Sequence, residues 1–213
     1  MKKTKFVLPV LLLVMSFVVG ALVYSKMPEQ VVTHWGTNGE ANGFMGRFWG
    51  VFFVPVLMTL LYFFLYFVPK IDPRHQNIEQ FRDSYNRFLN ILILFLFTIH
   101  LYSIAWNLGQ RFDIGYILSI ALAGLFYSIG MMVEEVKPNW FIGIRTPWTL
   151  SNDTVWQKTH KVGSRLYKAA AIFCLLGLFF PHFVFVLTIF PIIAVSLYLV
   201  AFSYFEFKKL KKY

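Results

Sequence analysis

The amino-acid sequence predicts an all-α integral membrane protein. It has six transmembrane helices, both termini cytoplasmic, and a short interfacial amphipathic helix in the loop between the fourth and fifth helices. Three observations predict this. Of 213 residues, 58% are hydrophobic and only 14% charged, with a mean hydropathy of +0.61; soluble domains hold about 25% charged residues. The apolar residues fall in runs of about 20, the length that carries a helix across the hydrocarbon core. The basic residues lie between those runs, and 17 of the 20 Lys and Arg occupy alternate connections, which the positive-inside rule assigns to the cytoplasm.

The first span covers 6–24. Its basic start (Lys2, Lys3, Lys5) and the small residues Val19 and Ala21 also fit a signal peptide. The run is longer than a usual signal core, and its removal would make the span count odd, so we read it as retained. Spans two to four cover 48–68, 88–106 and 114–133. Residues 169–205 carry no charge; as one helix they would reach about 55 Å, nearly twice the hydrocarbon core. Pro181-His182 divides them, because proline lacks a backbone donor and disfavours helix just before it. Spans five and six then cover 165–180 and 183–205, with Arg165 and Lys168 snorkelling to the interface. Gly124 and Ser128 form a small-xxx-small pair that predicts close packing of the fourth span.

The net charge is +10. Its basic residues are clusters flanking spans rather than a patch, which points to orientation in lipid and not to direct nucleic-acid binding. The single Cys174 excludes an internal disulfide and any Cys-based metal cluster, and its apolar setting reads as a buried small residue. The five His are scattered at 34, 75, 100, 160 and 182, and neither H-E-x-x-H nor G-x-S-x-G occurs. We therefore expect no metal site, no cofactor and no catalytic residue.

Three polar groups stand out. The external loop, 25–47, is rich in Gly and Asn for turns, and holds Pro28, His34, Trp35 and Gly36. Its His34 fits either a plain surface residue or a ligand contact. On the third span, His100, Ser103 and Asn107 fall at i, i+3, i+7 and share one face. No carboxylate lies within a span, so we read that face as interhelical hydrogen bonding rather than a proton path. The cytoplasmic loop, 134–164, begins with an extended, aromatic stretch anchored by Trp140, Phe141 and Trp148. A helix start follows, with Ser151 or Asn152 as cap and Asp153 in the first turn. Val155, Thr159, Val162 and Leu166 make one stripe of that helix, and Trp156, His160 and Gly163 the next. Arg145, Thr146, Pro147, Trp148, Thr149, Asn152, Trp156 and His160 are the binding or signalling candidates, since unpaired polar groups beside lipid are costly.

Two motifs resemble one family. "MPEQVVTHWGTNGEANGFMGR", 27–47, looks like the external-loop motif of SdpI-like (sporulation-delaying-peptide immunity) membrane proteins, an external-loop domain of unknown function. "NWFIGIRTPWTLSNDTVWQKTHKVG", 139–163, looks like their cytoplasmic signature. Val32 stands where the family often has Pro, and Ser164 where it has a second Gly. The resemblance implies a multi-pass protein of the bacterial cytoplasmic membrane that protects against a secreted, membrane-active peptide toxin. It also implies, for some members, a small cytoplasmic repressor held at the membrane. The lipid bilayer is the partner that composition alone demands. A small-solute or lipid transporter or channel is the alternative, with His100, Ser103 and Asn107 as its lining.

Overall fold

The computed structural model describes residues 7–36 and 39–210. The basic residues Lys2, Lys3, Lys5, Lys211 and Lys212, the first residue of the first predicted span, and Asn38 lie outside the described residues. Eight helices and one hairpin follow in the order α1 (Val7–Val23), β1 (Gln30–Trp35), β2 (Ala41–Gly46), α2 (Arg47–Ile71), α3 (His75–Gln80), α4 (Arg82–Asn107), α5 (Ile114–Glu135), α6 (Pro147–Ser151), α7 (Asp153–Leu176) and α8 (Val184–Leu210). Five stretches of the described residues are long and apolar enough to cross a membrane: Val7–Lys26, Arg47–Ile71, Arg82–Asn107, Ile114–Glu135 and Pro181–Leu210. Their outer surfaces present large apolar side chains such as Leu60, Phe64, Phe190 and Leu197. Water would not tolerate so many; lipid does.

The expected loop between the first two spans is instead an antiparallel hairpin, with Gln30 opposite Gly46 and Val32 opposite Phe44. Its turn residues close the two strands rather than leaving them irregular. Strand β2 runs straight into α2, so hairpin and second helix form one continuous unit. Helix α4 begins six residues earlier than predicted, at Arg82, because Ser84 and Arg87 reach Glu135 across the bundle end. Helix α5 starts where expected, capped by the Asp113 carboxylate, which accepts the Gly115 N–H at 2.7 Å. The division at Pro181 is present as a single 3-10 turn, Pro181–Phe183.

The amphipathic helix runs on into the fifth span, as the sequence suggests, but it is enclosed by the bundle rather than lying on a surface. The polar helix capped at Asn152 and the apolar segment from 165 are one helix, α7, of 24 residues. No glycine or proline signal breaks it, and the small pair Gly163-Ser164 is buried rather than a boundary. Packing of α7 against α5 is antiparallel: Ser164 donates to Glu134 (3.3 Å), and Gly177 sits beside Ser119. Its other side meets α8, from Lys158 beside Glu206 to Gly177 beside Val184. Helix α7 is too polar overall to count among the apolar five, yet it runs alongside two of them.

Close approach is governed by other glycines than expected. A Cβ at Gly124 would meet nothing within 4 Å, so the Gly124/Ser128 pair does not hold helices together. A Cβ at Gly130 would fall 3.0 Å from the Ser164 carbonyl, and this glycine lets α5 and α7 touch.

Candidate functional site

The signature segment, 139–163, folds into a compact knot at one end of the bundle. Asn139 starts it: its Oδ1 accepts the N–H groups of Phe141 (2.9 Å) and Ile142 (2.6 Å), while its Nδ2 donates to the Lys137 and Ile142 carbonyls. One buried side chain thus ties a whole turn. Gly143 follows with φ +117°, a conformation open to glycine and strained for others. That turn aims the Ile144 N–H at His160 Nε2, 2.9 Å away. Nε2 is therefore an acceptor without a proton, and Nδ1 carries it, donating to the Trp156 carbonyl at 2.8 Å.

Trp156 stacks on the His160 ring with centroids 4.1 Å apart and donates its indole N–H to the Val136 carbonyl. Both side chains are almost fully buried. Thr146 caps α6 through a reciprocal pair with Thr149: Thr149 N–H to Thr146 Oγ1 and Thr146 N–H to Thr149 Oγ1. Pro147, without an N–H, suits the first helical position. Thr149 also donates to the Ile144 carbonyl, and Thr146 meets Ser203 of α8 at 2.9 Å. Asn152 accepts the N–H groups of Thr154 and Val155, starting α7. Trp148 packs edge-on against Tyr204. Arg145 is exposed and donates to the Trp140 carbonyl at 2.6 Å.

His160 lies in the polar first half of α7, ahead of its apolar part. Burial pushes its pKa down to about 4 from the usual 6.5. Because the folded value is depressed, the unfolded chain binds the proton more readily between those two pH values. Stability is therefore complete above pH 6.5 and declines as pH falls toward 4, by on the order of 3 kcal/mol. Melting curves from pH 7.5 to 4 should show this drop, and His160→Gln should flatten its share of it.

At the opposite end, the hairpin rests on α4. Asn107 accepts the Val32 N–H (2.8 Å) and donates to the Val32 carbonyl (3.0 Å), and Ser103 donates to that same carbonyl. Proline at position 32 would lose the first of these bonds, so valine suits this chain. Trp35 is buried against Tyr102 and Trp106, with ring centroids 5.0 and 5.8 Å away. The indole N–H groups of Trp35 and Trp106 have no partner among the described residues. His34 and Pro28 are exposed and Gly36 half-buried; His34 contacts Asn42 at 2.5 Å. Within the bundle, His100 donates from Nε2 to the Ser16 carbonyl of α1 at 3.1 Å. The predicted stripe is therefore one set of ties, from α4 to α1 and β1.

Sequence reasoning missed several residues that anchor the knot. Asp72, just past α2, is buried and accepts the N–H groups of Arg74 (2.6 Å) and Trp140 (2.9 Å). Asn77 of α3 donates to the Pro138 carbonyl. Glu206 is buried and holds Lys158 (2.8 Å) and Lys209 (2.5 Å). Glu134 pairs with Lys168. The Asp72-Pro73 turn signal was present in the sequence; nothing local marked its partner 68 positions away.

Residues 11–59 match a domain of unknown function (DUF1648), which covers α1, the hairpin and the start of α2. Residues 135–204 match the SdpI/YfhL protein family, which covers the knot, α7 and most of α8. The Immunity protein SdpI of Bacillus subtilis (strain 168) is 27% identical over 208 residues, spanning 97% of each chain. The chain is thus similar to this immunity protein over nearly its whole length, and each family model matches one part of it. No solved structure matches it. The two matched segments coincide with the two structured ends of the bundle. Its five apolar helices and this similarity support a multi-pass protein of the cell membrane.

Proposed function

We propose that this chain is a bacterial immunity and signalling protein. It protects against a membrane-active peptide toxin and relays toxin binding to a cytoplasmic repressor. It acts by binding, without catalysis. The observation that carries this reading is the end-to-end similarity to an immunity protein, which includes both motif-bearing segments. In this reading the bundle crosses the membrane six times, with α7 from Arg165 as the fifth crossing. Both termini and the knot face the cytoplasm, where 17 of the 20 basic residues then lie.

The geometry supports a route between the two faces. The toxin meets the hairpin and the aromatic cluster beneath it; the buried indole N–H groups of Trp35 and Trp106, without a partner among the described residues, become donors to a peptide backbone only in a hairpin posture that opens this cluster. Helix α2 continues from the hairpin without interruption and ends at Asp72, which holds the knot through the Trp140 N–H. A toxin that prefers one hairpin posture then biases the knot; one that binds both postures equally shifts nothing. The alternative, a solute or lipid path lined by His100, Ser103 and Asn107, is less well supported, because each of the three already holds a backbone carbonyl.

The test is survival. The full chain is expressed in a strain sensitive to sporulation-delaying peptide, with insertion verified, and survivors are counted after exposure. Survival should rise. Asp72→Ala should stay inserted but lose the response of a repressor-controlled reporter. Unchanged killing despite correct insertion removes the immunity reading.

A further inference from the structure

A groove of about 360 Å³ opens beside the knot. Phe88 of α4 stands on one side and Leu199 and Val200 of α8 on the other, with Ile129 and Met132 of α5 at its floor. Gly143 to Thr146 close it at the knot end. The lining is mostly apolar, interrupted by Tyr167 and Ser196, which hydrogen-bond each other, and it includes the basic Arg145.

The basic end is the exposed Arg145. Its single polar partner among the described residues is the Trp140 carbonyl, which occupies one of five N–H donors. The neighbouring charges differ. Lys168 is neutralised by Glu134, Arg87 by Glu135, and Lys158 and Lys209 by Glu206. Arg145 alone of this group has no carboxylate. Among the described residues, the side of the bundle that carries it holds 12 basic residues against seven acidic ones, so an anion is drawn to it. A guanidinium with free donors matches a phosphate oxygen pair, and the greasy walls match an acyl chain.

We propose that this groove binds one anionic phospholipid of the adjacent leaflet, with its phosphate on Arg145 and an acyl chain between α4 and α8. The inference does not depend on any toxin. It gives the signature arginine a ligand in the membrane itself, and it makes the closing segment 143–146 sensitive to lipid composition.

The full chain, purified in detergent, is examined by native mass spectrometry with added phosphatidylglycerol or phosphatidylcholine. Phosphatidylglycerol should be retained about tenfold more tightly, the scale of one charge-assisted contact. Arg145→Gln should remove that preference and Arg145→Lys should keep part of it. Val200→Trp, which fills the groove, should weaken both lipids while the protein remains folded by its melting temperature. Arg165→Gln, exposed and outside the groove lining, should change nothing. Three outcomes overturn the proposal: full preference in Arg145→Gln, an equal loss in Arg165→Gln, or displacement of the lipid by inorganic phosphate. The second would mean diffuse surface attraction, and the third a soluble anion as the ligand.

Discussion

Gly143→Ala is expected to unseat the knot formed by the signature segment. Two independent terms oppose the methyl group. The backbone φ of +117° is strained for any side chain, at about 1–3 kcal/mol. A Cβ there would also lie 2.5 Å from His160 Nε2, inside any allowed contact. His160 cannot retreat without abandoning the Ile144 N–H, and a buried donor left unsatisfied costs about 1–3 kcal/mol more. The expected loss is therefore about 2–6 kcal/mol, read as a fall in melting temperature in detergent. Gly124→Ala is the matched control. Its Cβ meets nothing, so it should melt at or slightly above the parent temperature. Equal melting of the two variants would show that the glycine turn is not what holds the segment.

Trp156→Ala should be comparably severe, for a different reason. Its indole is 1% exposed and belongs to the cluster formed with Val68, Ile78, Phe81, Tyr85, Leu89, Met132 and Val136. That cluster joins five helices, α2, α3, α4, α5 and α7, beneath the knot. Deleting a buried Trp side chain costs about 3–5 kcal/mol through lost contacts and the cavity left behind. The stacked face of His160 would also be uncovered. Trp156→Phe separates the terms: it keeps most of the volume and loses the bond to the Val136 carbonyl, so about 1–2 kcal/mol should remain. If Phe were as damaging as Ala, the hydrogen bond rather than the packing would be the main support.

Much of the site was legible in the sequence because its determinants are local. The Asn152 cap and the shared face of Trp156, His160 and Gly163 follow from spacing along one helix, whereas the short helix α6 stands where the sequence reads as extended. The role of Gly143 was not legible, since nothing in the residue order says which glycine adopts a positive φ. The hairpin was hidden for a similar reason: its strands alternate weakly, and their register is decided by docking Val32 on Asn107. Asp72 and Glu206 escaped notice because their partners lie 68 and 48 positions away.

The division between the two sources of information follows the range of the forces. Solvent preference and hydrogen-bond need act residue by residue, so the sequence was enough to establish a lipid-embedded chain, its apolar helices and the caps that start them. The enclosure of α7 by the bundle is different in kind. A segment carrying Thr159, His160 and Ser164 reads as a surface helix until α5, α8 and residues 136–146 enclose it. What makes that burial tolerable is the set of partners brought from distant positions, Ile144 for His160 and Glu134 for Ser164, and such partners exist only once the chain has folded.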